Sequence, residues 1–201
     1  TWYDQSGNGN NLVENTASRQ PKIIINGTIQ TENGKPFIRF YGVTGGSYNQ
    51  LALTTPLTTN AQVIIVNKFI SGGNGFILGS SSDYFWHSDP AAGKLLVNYA
   101  SSSVYNSTIY QNGVSKSNTT AVWNTSLGIN ALAPQTANSQ TTWDNIGRDR
   151  TYHHTTGGGG YSELLSFPSA MNGLTRTTIE ANEGSYFAVA ARPLNADGFT
   201  S

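Results

Sequence analysis

Near the start of the chain stands Trp2-Tyr3-Asp4-Gln5-Ser6-Gly7-Asn8-Gly9-Asn10-Asn11-Leu12, an aromatic pair followed by a polar, glycine-rich run that is the most informative part of the sequence for the fold. Glycine takes positive φ at little cost, and asparagine tolerates the left-handed region better than most other side chains. Asp4 and Ser6 have short polar side chains that can accept hydrogen bonds from nearby backbone amides. The stretch therefore predicts a compact, self-bonded turn next to a strand that contains Trp2 and Tyr3.

Beyond this turn, short apolar runs alternate with clusters of Gly, Asn, Pro and Ser at a spacing of roughly 8 to 12 residues, which is typical of all-β domains. The candidate strands are residues 22–25, 36–40, 50–54, 62–69, 75–79, 83–87, 94–100, 107–110, 114–118, 121–131, 143–147 and 161–167. This pattern predicts an all-β fold built from antiparallel strands.

Some of these runs carry more specific information. Asn112-Gly113 separates two strand-like runs within residues 109–115, and this dipeptide favours the type I′ turn of a β-hairpin. The run Val63-Ile64-Ile65-Val66 is apolar at consecutive positions, so we expect both faces of that strand to be covered. One short helix is predicted over residues 175–186, packed on an edge or end of the sheets.

The composition argues against several kinds of partner. The chain has eleven Lys or Arg and eleven Asp or Glu residues, so its formal net charge is zero. Nucleic acids and anionic membranes are bound through clustered positive charge, so neither is expected as a partner. No apolar run approaches the roughly 18 to 20 residues that cross a bilayer, and no membrane insertion is expected. Because the chain has no cysteine, its core must hold the fold without disulfides.

Together with residues 2–12, several later stretches resemble concanavalin A-like, laminin-G-like domains, which occur in bacterial surface proteins, phage structural proteins and some arabinofuranosidases. These stretches are residues 19–23, 33–42, 146–149, 161–165 and 176–186. The resemblance implies an antiparallel β-sandwich of the jelly-roll type with one short C-terminal helix. It also implies an extracellular, cell-surface or virion-surface location. The implied partners are a glycan or cell-surface polysaccharide and other domains or chains of a larger assembly.

We expect one domain at residues 1–191 and a linker, or the start of a following module, at residues 192–201. The length suits a single sandwich, and Pro193, Asp197 and Gly198 in the last ten residues are typical of a linker. Members of the resembling family usually have strands before the Trp-Tyr-Asp-Gln-Ser-Gly motif. We therefore expect the domain to lack its first strands and to belong to a longer protein.

The opening stretch also contains a candidate calcium site. Asp4, Asn8 and Asn10 stand at even spacing, and Ca²⁺ accepts carboxylate, amide and backbone oxygens. Many laminin-G-like domains bind calcium, so the resemblance points the same way. The alternative is an Asx turn, in which the Asp4 side chain caps its own loop.

Aromatic side chains supply the candidate ligand-binding site. Tyr84, Trp86 and His87 belong to the densest aromatic cluster of the chain, and Tyr152 is a more distant candidate. Aromatic faces can stack on sugar rings while nearby polar groups bond to hydroxyls. Because neighbours in a strand point to opposite faces, the alternative is that at least part of this cluster, Trp86 included, lies in the core.

Glu163 lies on a predicted central strand and has two possible roles. It is a candidate catalytic carboxylate, because a retaining glycosidase needs two carboxyl groups about 5 Å apart. The alternative is a structural ion pair with Arg148 or Arg176. The chain has no Glu-x-Asp-x-Glu strand motif and no cysteine, whereas the related arabinofuranosidases carry a cysteine pair near their nucleophile. We therefore expect the ion pair.

These observations favour a non-catalytic carbohydrate-recognition or adhesion module of a larger extracellular or virion surface protein. One alternative is a glycoside hydrolase fragment of the arabinofuranosidase type. Another is a purely structural domain of an adhesin or phage fibre, for which a large exposed apolar patch would be expected.

Overall fold

A computed structural model describes residues 1–41, 48–70, 75–81, 85–89, 92–134, 142–150, 152–153 and 158–190, with the backbone alone at residues 76, 152 and 153. The strands in chain order are β1 (Leu12–Val13), β2 (Ile24–Ile25), β3 (Thr28–Ile29), β4 (Thr31–Glu32), β5 (Lys35–Pro36), β6 (Ile38–Phe40), β7 (Leu51–Leu57), β8 (Gln62–Phe69), β9 (Gly75–Leu78), β10 (Trp86–Ser88), β11 (Thr108–Gln111), β12 (Val114–Lys116), β13 (Gly128–Ala133), β14 (Trp143–Ile146), β15 (Arg148–Asp149), β16 (Tyr152–His153) and β17 (Gly159–Phe167). The helices are α1 (Ser102–Tyr105) and α2 (Gly173–Phe187), and a 3-10 turn spans Ala17–Arg19.

Two antiparallel sheets form the body of the described structure. The larger sheet has the strand order β12-β11-β13-β8-β17-β6, and the smaller has the order β1-β7-β14. Gly79 pairs with Asn145 of β14 and so brings β9 and its partner β10 alongside the smaller sheet. One apolar cluster contains side chains from both sheets. The predicted antiparallel β-sandwich is therefore confirmed.

The core between the sheets combines apolar packing with satisfied polar groups. Ile65 of the larger sheet and Leu53 of the smaller sheet belong to this cluster, together with the fully or almost fully buried Trp143 and Tyr161. The Trp143 indole donates a hydrogen bond to Asn60 Oδ1 at 2.9 Å. The Tyr161 hydroxyl donates to the carbonyl oxygen of Ile77 at 3.1 Å. Large aromatic side chains can therefore be buried here without leaving their polar atoms unpaired.

Strand β8 is covered on both faces, as its continuous apolar run predicts. Val63 and Ile65 belong to the cluster between the sheets. Ile64 and Val66 belong to a second cluster, which includes Phe187 of α2. The outer face of the larger sheet is thus covered by the helix, and the sandwich acquires a third layer.

Helix α2 has recognisable signals at both ends. The Asn172 side chain accepts a hydrogen bond from the Thr175 amide at 2.8 Å, which satisfies one of the free donors of the first turn. At the other end Ala188 adopts a left-handed conformation with φ of 51°. The helix predicted over residues 175–186 is confirmed, with slightly wider bounds. Among the described residues, no helix combines the length and the apolar character that crossing a membrane requires.

Three Asn-Gly pairs form the tight turns of this fold. Asn26-Gly27, Asn33-Gly34 and Asn112-Gly113 all have positive φ at both residues, as a type I′ turn requires. They connect β2 to β3, β4 to β5 and β11 to β12. The hairpin predicted at Asn112-Gly113 is confirmed, and the other two pairs fold the chain before β6 into a meander.

Some predicted strands differ from the observed ones. Residues 94–100 form a loop, because Leu95 and Leu96 are both inserted into the core and a strand would place consecutive side chains on opposite faces. Within 121–131 the strand begins only at Gly128, and within 83–87 the observed strand covers Trp86 to Ser88. The predicted linker at 192–201 lies outside the described residues.

Candidate functional site

The opening loop is held together by its own polar groups. The Asp4 carboxylate accepts hydrogen bonds from the backbone amides of Ser6, at 2.7 Å, and Asn10, at 2.9 Å. The Asp4 amide in turn donates to Asn11 Oδ1 at 2.9 Å. Hydrogen bonds from Ser6, and to a smaller extent from Asn10, hold the pKa of the Asp4 carboxyl below its usual value. The compact, self-bonded turn predicted from the sequence is what the chain forms.

This geometry matches the Asx-turn alternative for Asp4. Each oxygen of its carboxylate already accepts a backbone N–H, and the Asn8 amide donates to Ser6 Oγ at 2.9 Å. In the part of the chain that the structure describes, no group of three or more His, Cys, Asp and Glu side chains is placed to hold a metal ion. Calcium binding by Asp4, Asn8 and Asn10 stays a prediction.

The expected aromatic platform is not formed by the residues that the structure describes. Trp86 is fully buried, and its indole donates to the carbonyl oxygen of Leu95 at 3.2 Å. His87 is also buried and pairs with the carboxylate of the fully buried Asp149. A register shift between these two neighbours explains how both avoid solvent. Tyr84 lies outside the described residues, and Tyr152 is placed only as a backbone member of β16.

The predicted ion pair of Glu163 with Arg148 or Arg176 is wrong. Arg176 pairs with Glu180 at 2.5 Å within α2, because residues four apart are neighbours on a helix. The Arg176 guanidinium also stacks on the Tyr110 ring, 3.3 Å from its centroid. Arg148 Nε instead donates to the carbonyl oxygen of Arg150 at 2.6 Å.

A β-bulge explains which face of the larger sheet carries Glu163. The pairing of β17 with β8 shifts between Tyr161 and Glu163, so that Glu163 lies opposite Val66. Val66 faces the cluster beneath α2, and residues opposite each other share a face of the sheet. The extra residue therefore turns Glu163 away from the core between the sheets and towards α2. There, burial raises the pKa of the Glu163 carboxyl.

A shallow groove at the β12 edge of the larger sheet is the candidate site that the described residues form. Its volume is about 600 Å³, which lies within the range of small-ligand sites. Its apolar part includes two valines, Val114 and Val122, which are 41% and 56% exposed. The complete lining is Gln111, Asn112, Val114, Lys116, Val122, Asn124 and Ala190.

Gln111 fixes one side of this groove. Its side-chain oxygen accepts from the Val122 amide at 2.9 Å, and its side-chain nitrogen donates to the Val122 carbonyl at 2.7 Å. These two bonds imitate the pairing of one strand with another. They attach the segment around Val122 to the end of β11 and keep the two valines of the groove side by side.

The opposite side is fixed by a network of asparagine amides. Asn124 Nδ2 donates to the Asn67 carbonyl at 2.7 Å, and Asn124 Oδ1 accepts from Asn130 Nδ2 at 2.9 Å. Asn130 also donates to Asn67 Oδ1 at 2.7 Å and accepts from the Gln111 side chain at 3.1 Å. Linked amides of this kind restrict one another's rotamers. The polar wall of the groove is therefore preformed.

Gly128 makes room for this arrangement. A Cβ atom at this position would lie 3.2 Å from Asn124 Nδ2 and 3.4 Å from Asn112 Oδ1. Asn112 Oδ1 accepts a hydrogen bond from the Ile129 amide at 2.8 Å. Both amides can thus come close to the backbone of β13 because residue 128 has no side chain.

Sequence reasoning missed this groove, although a signal for it exists. Asn112 was informative only as a turn residue, and Gln111 and Asn124 belong to no recognisable motif. However, Asn67 and Asn130 occupy core-facing positions in apolar strands and are almost completely buried. A buried asparagine in such a strand needs hydrogen-bond partners, and those partners lead to the groove.

No protein-family model, curated protein or solved structure matches this chain.

Proposed function

We propose that this chain is a non-catalytic glycan-recognition module of a larger extracellular or virion surface protein, and that its ligand binds in the groove beside β11 and β12. The observation that carries the proposal is the preformed polar wall beside two exposed valines. Sugars present apolar C–H faces bordered by hydroxyl groups, and a binding site for them combines apolar contact with fixed polar partners. Val114 and Val122 supply the apolar contact, and Asn112 and Lys116 supply the polar groups. The Gln111 and Asn124 amides fix the wall beside them through internal hydrogen bonds.

Preorganisation favours binding in this groove. Side chains that are free in the unbound protein lose rotamer entropy on binding, at a cost of about 0.5–1.5 kcal/mol each. The Gln111 and Asn124 amides are already held by hydrogen bonds at both ends. A ligand that contacts this wall therefore has little side-chain ordering to oppose it.

Binding is also a better assignment for the groove than hydrolysis. A glycoside hydrolase needs a pair of carboxyl groups flanking the scissile bond, and the residues that line the groove include no Asp or Glu. The charge of Glu163 acts on Glu183 and raises its pKa, but Glu163 lies on the helix-covered face of the larger sheet.

A second candidate function is a structural domain of an adhesin or phage fibre. It is favoured by an apolar patch on the β2–β3 hairpin, where Ile24 and Ile29 pair across the two strands and Ile23 precedes them. All three side chains are exposed. Adjacent exposed isoleucines are typical of surfaces that are covered by another protein.

A glycan array probed with the 201-residue chain tests the first proposal. The wild-type chain is compared with Val114→Trp, which fills the groove, and with Leu174→Trp, which adds the same side chain at an exposed position on α2. We expect the wild type and L174W to bind the same glycans, and V114W to lose at least about tenfold in affinity, equivalent to about 1.4 kcal/mol.

Two outcomes would contradict this proposal. Silence of the wild-type chain across the array would remove glycan recognition and leave the structural domain as the better account. Equal binding by V114W and the wild type would place the ligand elsewhere on the molecule. Repeating the array with EDTA tests the calcium prediction separately, because loss of binding with chelator would support a role for Asp4, Asn8 and Asn10.

A further inference from the structure

The hydrogen bonds of the groove leave it with an excess of donors. All three side-chain carbonyl oxygens in its lining already accept internal bonds: Gln111 from the Val122 amide, Asn112 from the Ile129 amide and Asn124 from the Asn130 side chain. The amide nitrogens of Gln111 and Asn124 are engaged as donors within the protein. The side-chain wall therefore offers a ligand few acceptors.

Two donors in the lining remain available. Within the described part of the chain, the Asn112 side-chain nitrogen and the Lys116 ammonium make no hydrogen bond, and Lys116 makes no ion pair. Lys116 is half-buried and lies at the end of β12. It is the charged residue of a lining that contains no carboxylate.

From this arrangement we infer that the groove recognises an acidic saccharide, in which a carboxylate or sulfate group on the sugar bonds to Lys116 and to the Asn112 amide. The inference rests on the proposed function and specifies its ligand. An anionic oxygen accepts several hydrogen bonds, and bonds between charged partners are stronger than bonds between neutral ones. A neutral sugar would leave the ammonium group without a counter-charge, whereas an acidic sugar supplies one.

The geometry also predicts which part of the ligand lies where. Lys116 and Val114 occur on one strand of the hairpin, and Val122 approaches from the segment attached to Gln111. The apolar face of the sugar ring would contact the two valines, and its anionic substituent would lie towards Lys116. Because an ammonium group is a compact charge with three donors, it can donate hydrogen bonds to a carboxylate or to a sulfate with equally good geometry.

The test is a set of titrations of the whole chain with an oligouronate, a sulfated oligosaccharide and a neutral oligosaccharide of similar length. The variants are Lys116→Gln and the control Lys22→Gln, which changes the net charge equally. Lys22 lies beyond β6, at the far edge of the larger sheet, and packs on the Tyr41 ring. We expect K116Q to weaken acidic-ligand binding by about tenfold or more, as for the loss of a charged hydrogen bond. K22Q should bind like the wild type.

The outcomes separate this inference from the proposed function. The inference would be overturned if the wild type bound the neutral ligand as tightly as either acidic ligand. If V114W abolished that binding, glycan recognition in the groove would remain in place. Equal loss in K116Q and K22Q would show nonspecific attraction and would also overturn it. Failure of every saccharide to bind would overturn both. A Lys116-dependent preference for the sulfated or the carboxylated ligand would support the inference and identify the anionic group.

Discussion

The carboxyl group of Glu183 couples the stability of this fold to pH. It faces the sheet from α2, where burial and the negative charge of Glu163 raise its pKa from 4.5 to about 7. The same side of α2 carries Glu180, whose pKa is raised by burial although Arg176 opposes the shift, and Arg176 stacks on Tyr110 of β11. Ionisable groups of α2 therefore lie against the sheet.

The raised pKa of Glu183 predicts the direction in which stability changes with pH. The folded protein holds this proton more tightly than the unfolded chain. The stabilisation of the folded state by this proton is therefore fully present below pH 4.5 and is lost as the pH rises towards about 7. We expect the free energy of unfolding to decrease over this window in the wild type, and to decrease less in Glu183→Gln. Urea denaturation across the window measures both slopes. Glu163→Gln should also flatten the curve, and an unchanged slope in both variants would contradict the electrostatic coupling.

The meander that contains β4 and β5 is tied to α2 by one side chain. Asn33 adopts positive φ in its turn, and its side-chain nitrogen donates to the carbonyl oxygens of Phe187 and Ala188, at 3.0 and 3.1 Å. Carbonyls at the end of a helix have no partners within the helix. Asn33 therefore both forms a turn and caps a distant element.

A matched pair of variants separates these two roles. Asn26 has almost the same φ as Asn33 in the same kind of turn, and within the described residues its side chain makes no hydrogen bond to a helix. We expect Asn33→Ala to lower the free energy of unfolding by about 1 kcal/mol more than Asn26→Ala, the net value of a typical hydrogen bond. Chemical denaturation of both variants measures the difference. Equal losses would mean that the cap contributes nothing to stability.

The elements differ in how well the sequence predicts them. The 112–113 hairpin and strand β8 follow from local signals, because a turn dipeptide and a continuous apolar run have few structural alternatives. Residues 94–100 have a strand-like composition, yet Leu95 and Leu96 fill the core from a loop. The position of Glu163 depends on a bulge that no local signal marks. The groove depends on a contact between Gln111 and Val122, which no motif marks, and on one between Asn67 and Asn124, which are 57 residues apart along the chain.

The smaller sheet depends on one close approach of backbones. Gly79 exchanges hydrogen bonds with Asn145 of β14, and a Cβ atom on Gly79 would lie 1.8 Å from the carbonyl oxygen of Arg148. This contact continues the sheet from β14 to β9. Residue 79 can carry no side chain unless the backbone of β15 moves away.

Substitution of Gly79 therefore affects the whole sandwich. We expect Gly79→Ala to destabilise the protein by about 3 kcal/mol, the upper part of the usual range for overpacking. The control is Gly173→Ala at the start of α2, where a Cβ atom meets nothing within 4 Å and a small gain in stability is expected. Thermal unfolding followed by circular dichroism compares the two variants. Equal melting temperatures would show that the backbone of β15 can move away from residue 79 at little cost in stability.

The preformed wall of the groove has a consequence for how the proposed glycan recognition would evolve. Gln111, Asn124 and Asn130 hold the wall through bonds to the protein itself, whereas Val114, Val122 and Lys116 face the groove without taking part in that side-chain network. Substitutions at these three positions change the surface that a ligand meets while the supporting network is preserved. If the groove binds glycans as proposed, selection can therefore diversify its ligands at little cost to folding, much as variable loops do on a constant scaffold.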